Sequence, residues 1–213
     1  SGPSIYYVRS LSGVNTLWQM GLDGSGKTEV GPGRGYAGGE QSDQTYGGVY
    51  WSVIAQYDNP SGPYHPDGSV HWWLEASPLT GSASTVRILD DVNYKPTGAT
   101  FRPGSTPRVT FTAVRWVSGS PVAGIYQIAL TIDASGITSV GAPTLVLAGD
   151  PFTSGGTLWP DIQGHDWSGE NRVAYGTDPQ YEGTRLTWQI AARTYDGGWG
   201  DAVNLIPSGS PRM

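Results

Sequence analysis

Cysteine is absent from all 213 residues. Disulfides, thiolate nucleophiles and cysteine-ligated zinc are therefore excluded, and the redox compartment stays open because a chain of this length buries a core without covalent staples. Positive charge is scarce as well. Twelve Lys and Arg stand against 18 Asp and Glu, a net charge of −6, and no basic run could displace counterions from a phosphate backbone, so nucleic acid is not an expected partner. Apolar runs all fall short of the roughly 20 residues that span a bilayer, so no membrane span is expected. No charged-then-apolar signal opens the chain, and any targeting peptide is expected to have been removed. Helix-forming stretches are the last shortage. With 32 Gly and 16 Pro, the longest segment free of both runs from Ser82 to Lys95, and its Thr85, Val86, Ile88 and Val92 are β-branched. Helical bundles and Rossmann folds are excluded.

What the chain does have is rings: nine Trp, 12 Tyr and three Phe, too many for a disordered or collagen-like polymer. An all-β protein follows. Four segments share an aromatic set in short apolar alternation: Leu17 to Gly21, Trp72 to Ala76, Ile125 to Ala129 and Thr187 to Ala191. They recur every 50 to 60 residues or so, the period of one small sheet per repeat. A second alternating segment precedes each (Ile5 to Leu11, Val49 to Tyr57, Val109 to Val117, Val173 to Thr177), so each pair reads as a hairpin. A third element comes earlier still, from Pro96 to Arg108 and from Pro160 to Arg172. A fourth lies near Lys27 to Val30, Thr85 to Leu89, Thr144 to Leu147 and Ala202 to Ile206, entered through turns such as Asp23-Gly24-Ser25-Gly26.

Four antiparallel strands repeated radially are the sequence form of a β-propeller. The expectation is a single domain over residues 1–213, with blades at about 4–31, 36–90, 94–148 and 157–207. About fifteen strands are expected, because the first blade starts directly at its second strand and lacks the inner one. A closed four-bladed ring, an arc completed by another copy in a homo-oligomer, and part of a larger propeller all remain open.

The segment Asp166-Trp167-Ser168-Gly169-Glu170-Asn171-Arg172-Val173-Ala174-Tyr175 resembles the blade motif of TolB-like propellers, in which a Trp-Ser-Pro-Asp-Gly turn leads into an Arg-Ile-Ala-Tyr type strand. Leu17 to Gly26 is similar to that family's Leu-Trp, Asp-Gly-Ser-Gly hairpin, and Phe101-Arg102-Pro103-Gly104-Ser105 is a looser match. The resemblance implies a fold and leaves function open, since such blades occur in binding scaffolds and enzymes alike.

Chemistry of the catalytic kind is thinly represented. His65, His71 and His165 lack metal-ligand spacing and read as hydrogen-bonded structural residues. TolB-like lyases that bind metal through clustered histidines are not matched. Neither metal nor cofactor is expected, and the chain reads as a non-enzyme. Acid pairs among Asp58, Asp67, Asp90, Asp91, Asp178 and Glu182 would suit glycosidic cleavage, yet turns select Asp for backbone bonding anyway. Asp23 to Gly26 lacks the later Glu of a calcium loop, and Gly31 to Gly35 lacks the Lys-Ser/Thr and helix of a phosphate loop.

Loops carry the more informative pattern. Links between second and third strands share a propeller face with links between blades. On that face the first set places Tyr57, Tyr64, Trp116 and Tyr181, and the second Tyr36, Tyr94, Phe152 and Trp159. Asp58, Asn59, Arg115, Asp178, Gln180 and Glu182 accompany them. Flat rings beside planar polar groups suit a sugar, whose C–H patches stack while its hydroxyls bond. Trp18, Trp73, Tyr126 and Trp188 read as blade core, and Trp167 and Trp199 as turns of the opposite face. For Trp116, Trp159 and Tyr181, packing and ligand contact weigh equally. The expected function is a multivalent, lectin-like glycan-binding propeller, with a protein-interaction propeller as the alternative. The compartment stays open, an extracellular or cell-surface setting being slightly favoured.

Overall fold

The computed structural model describes residues 4–11, 14–32, 37–42, 44–57, 65–79, 81–182, 185–196 and 198–205. Among them there is no helix, and the strands form several small antiparallel sheets. No described helix is long and apolar enough to cross a membrane.

The first sheet is a three-stranded meander of β1 (Ser4–Leu11), β2 (Val14–Gly21) and β3 (Thr28–Pro32). Its β2–β3 turn is made by Asp23, whose Oδ1 accepts the Ser25 amide at 3.0 Å and the Ser25 hydroxyl at 2.6 Å. The same Asp-x-Ser device closes the Asp67–Ser69 and Asp133–Ser135 turns. A short carboxylate here replaces a backbone acceptor, which explains the preference for Asp in these turns.

The second meander runs β4 (Ala37–Gln41), β5 (Trp51–Tyr57), β6 (Trp72–Pro78), β7 (Val86–Leu89). The third contains β8 (Tyr94–Arg102), β9 (Arg108–Val117), β10 (Ser120–Asp133), β11 (Gly136–Val140) and β12 (Thr144–Gly149). A hairpin of β13 (Pro151–Ser154) and β14 (Thr157–Pro160) leads to the fourth meander: β15 (Gln163–Trp167), β16 (Arg172–Glu182), β17 (Arg185–Thr194) and β18 (Val203–Asn204). A single parallel pairing, Gly39 with Ala99, joins β4 to β8 and fuses meanders two and three into one nine-stranded sheet.

The first strands of meanders two, three and four share a defect. Register shifts fall between Ala37 and Glu40, between Pro96 and Gly98, and between Gln163 and Asp166. Each shifted stretch contains glycine, and Gly164 takes φ +55°, a backbone state that costs glycine nothing. The alignment of Pro96–Arg108 with Pro160–Arg172 in the sequence reflects this shared bulged strand.

Alternation along β5, β9 and β10 separates two cores. Trp51, Val53 and Ala55 of β5 and Leu74 and Ala76 of β6 meet Phe101, Phe111, Tyr126 and Ile128 of the third meander. The neighbour of Tyr126, Ile125, points the other way and packs with Leu147, Ile162, Trp167, Val173 and Tyr175. The third meander is thus buried on both faces, which is why β9 is buried almost throughout.

Two expectations change. The described residues form eighteen strands where about fifteen were expected, because β11 and the β13–β14 hairpin extend the third repeat and the link that follows it. β10 reaches 14 residues because its end leaves β9 and pairs with β11. Trp73 and Tyr126 are buried as expected, whereas Trp18 and Trp188 are only half-buried.

Candidate functional site

The chemistry-bearing side chains gather where β5 ends, β6 begins and β7 passes into β8. The chain enters β6 through His65-Pro66-Asp67-Gly68-Ser69. Pro66 presets φ, Gly68 adopts φ +81°, and the Gly68 amide donates to the His65 carbonyl at 2.8 Å. This closure directs His65 inward, where it is 2 % exposed.

The His65 ring stacks on Trp116 at 5.5 Å and lies 6.0 Å from His71. Its Nδ1 donates to the Val92 carbonyl, and its Nε2 accepts the Trp72 amide at 3.2 Å. Both ring nitrogens are satisfied by a neutral imidazole, and burial lowers the His65 pKa, in keeping with that form.

A second network covers Trp73. His71 Nε2 meets Asp90 Oδ1 at 2.6 Å, and Arg87 Nη1 donates to Asp90 Oδ2 at 2.9 Å. The Arg87 guanidinium sits 4.4 Å above the Trp73 ring, and Trp73 Nε1 donates to Glu75 at 3.0 Å. Burial works to raise the Asp90 carboxyl, but bonds from His71 and Arg87 overcome it and hold Asp90 below the usual carboxylate range. His71 is 7 % exposed and its Nδ1 has no hydrogen-bond partner among the described residues.

Lys95 is the third component and is fully enclosed. Its Nζ donates to the Leu158 carbonyl at 3.0 Å, lies 4.0 Å from the centre of the Trp159 ring, and is 3.8 Å from Asp67 Oδ2. Burial pushes its pKa down to about 8 against the pull of Asp67. Asp67 itself stays below its ordinary value. Burial acts to raise it, and the Ser69 bonds and Lys95 outweigh that effect.

Beside these groups stands a pair of rings, one exposed and one half-buried. Tyr57 and Trp72 face each other across β5 and β6, with centroids 4.7 Å apart. Tyr57 is 44 % exposed.

Several expected ligand contacts change position. Tyr94 is core: its ring packs edge-on against Phe111 and Tyr126, under the Arg115 guanidinium. Trp116 is covered by His65 and is likewise buried, so packing claims it. Tyr94, read as a loop residue, is the first residue of β8, and Trp116, for which packing and ligand contact weighed equally, lies under the His65 turn of the second meander. Trp159 is half-buried beneath Lys95, and Phe152 packs edge-on against Trp188. Asp178, at φ +50°, accepts a bond from Gln180 on the fourth meander. Tyr181 and Glu182 pair with Leu186 and Arg185 in the β16–β17 hairpin. Tyr36, Asp58, Asn59 and Tyr64 lie outside the described residues.

Sequence reasoning missed the convergence of His65, His71 and Lys95. The Pro-Asp-Gly turn was the available signal for the histidines, since a tight turn draws its flanking residues together. Lys95 had none, because an interior lysine reads as a surface residue. Among the described residues, no group of three or more His, Asp or Glu side chains is arranged to hold a metal ion.

No protein-family model, curated protein or solved structure matches the chain.

Proposed function

We propose that this chain is a non-enzymatic carbohydrate-binding domain, built as a TolB-like β-propeller whose four repeats are its blades. The observation that carries the binding reading is the exposed Tyr57 ring resting on Trp72. A half-exposed ring braced by a second ring tilted 34° to it offers an apolar surface at little entropic cost, and the C–H face of a pyranose stacks on such rings. Polar groups that suit sugar hydroxyls stand at the same end of the sheet: Asp90, Asp91 and Asn93 all reach solvent in part. Three meanders with the same bulged first strand, successive in sequence, support the propeller reading. The absence of catalysis is supported by the state of the nearby carboxyls. Asp67 and Asp90 are held by turn and ion-pair bonds in their charged form, whereas a general acid for glycosidic cleavage needs its proton kept on.

A glycan array read with the intact chain and with Tyr57→Ala tests this. Binding by the intact chain, weakened several-fold in the variant at unchanged melting temperature, is the expected result, since one stacked ring contributes about 1 kcal/mol. An intact chain that binds no glycan overturns the reading and favours a protein partner for the same face.

A further inference from the structure

The His65 ring touches both sides of the platform to which the sugar is assigned. The ring side is Tyr57 on Trp72. The polar side is the turn over residues 91–94, closed by Asp91: its Oδ1 accepts the Asn93 amide at 2.9 Å, and its carbonyl accepts the Tyr94 amide at 2.9 Å. Between the two sides the sheet stops short. β7 leaves the ladder at Leu89, opposite Leu74, before it reaches Trp72. Where a further strand bond would fall, the Trp72 amide donates to His65 Nε2 at 3.2 Å instead. From its opposite edge the same ring donates through Nδ1 to the carbonyl of Val92, which stands between Asp91 and Asn93. A neutral imidazole suits this place because it carries one acceptor and one donor on opposite edges.

We infer that His65 is a positioning residue of the sugar platform: its neutral ring bridges the Trp72 amide and the Val92 carbonyl, and so fixes the distance between the stacking rings and the polar edge of Asp91 and Asn93. The role toward a sugar rests on the glycan reading, whereas the bridge is a property of the free chain. Spacing matters because a pyranose is rigid. Once its C–H face lies on Tyr57, its hydroxyls project at fixed positions, and a polar group displaced by about 1 Å no longer meets them well. Asp91 and Asn93 are exposed, whereas His65 is 2 % exposed and stacked on Trp116. His65 therefore acts through Trp72 and the turn, without touching the sugar. Its burial favours the neutral ring that the bridge needs.

Two substitutions split the bridge. A glutamine amide reaches the place of imidazole Nε2 and can accept the Trp72 N–H, whereas an asparagine amide reaches the place of Nδ1 and can only donate to Val92. Both remove the ring that stacks on Trp116, so a role in packing alone would make the two variants alike. The test measures hydrogen exchange of the Trp72 amide, melting temperature and affinity for methyl β-glucoside, a pyranose with C–H bonds on both faces. His65→Gln should keep the Trp72 amide protected and bind the glucoside nearly as the intact chain does. His65→Asn should exchange that amide about fivefold faster, as the loss of one hydrogen bond implies, and bind several-fold more weakly at a melting temperature like that of His65→Gln.

Equal Trp72 exchange in the two variants overturns the bridge, and unequal exchange with equal glucoside affinity overturns the positioning role. In the intact chain, the nitrogen shifts of the His65 ring should place its single proton on Nδ1. A proton on Nε2 overturns the inference, even where neither variant folds. An intact chain with the expected exchange pattern that binds neither methyl β-glucoside nor any glycan on the array overturns the glycan reading and upholds the bridge.

Discussion

The two faces of the third meander are held by different chemistry. Toward the second meander the contact is apolar and ring-rich: Trp51, Phe101, Phe111 and Tyr126 interdigitate with small β-branched residues and alanines. Toward the fourth, a smaller apolar cluster is crossed by polar links. Thr110 Oγ1 accepts the Trp167 indole at 2.8 Å and meets His165 Nε2 at 2.9 Å. Arg102 lies 4.4 Å over Trp167 and donates to the Glu170 carbonyl and to Gln127. Repeats of similar sequence thus pack on one side by volume and on the other by directed bonds. Volume gives stability that is insensitive to pH, whereas buried polar links fix orientation and bring titratable groups inside.

Phe111→Ala should have the largest effect, about 4 kcal/mol by chemical denaturation, because a fully buried ring leaves a cavity that flanking strands cannot collapse into. A loss under 1 kcal/mol would break the claim that this side is held by packing.

Acid should act on the other side. His165 is buried with its pKa pushed down to about 4 by desolvation, so the fold holds it neutral. The unfolded chain takes up that proton near its ordinary 6.5, and stability is therefore full above pH 6.5 and falls as pH drops toward 4. The loss should approach roughly 3 kcal/mol. Melting curves of the intact chain and His165→Gln across this window measure it: the difference between them should shrink at acid pH, and parallel curves would place the acid sensitivity elsewhere.

Thr110→Val sharpens the comparison at the smallest cost, about 2 kcal/mol, since it keeps the volume of β9 while leaving the Trp167 indole and His165 without their shared oxygen. The variant should stay folded and lose protection of the Trp167 indole N–H from hydrogen exchange. Unchanged protection would mean the hydroxyl does not link the sheets.

Local order was largely readable. The second-strand and third-strand segments fall on β1 and β2, β5 and β6, β9 and β10, and β16 and β17, because hairpins rest on period-two alternation between turn residues. The extra β11 strand was hidden in a run, Thr131 to Val140, whose turn at Asp133–Gly136 resembles any other loop. The candidate site was less legible. Tyr57 was named and is exposed; Tyr94 was named as a loop residue and is buried at the start of β8 against Phe111 and Tyr126, and Trp116, where packing and contact weighed equally, is buried under His65, neither of which local sequence reveals.

By itself the sequence determined strand type, turn position and repeat period, since these depend on backbone preferences of neighbouring residues: β-branched alternation, Asp-x-Ser closures and glycine at bulges. Only the tertiary structure decided which face of each strand meets which sheet, that Lys95 lies inside beside Asp67, and that His65 and His71 come together. Those outcomes depend on contacts between residues distant in the chain, where burial and counter-charge outweigh the local preference of any one residue.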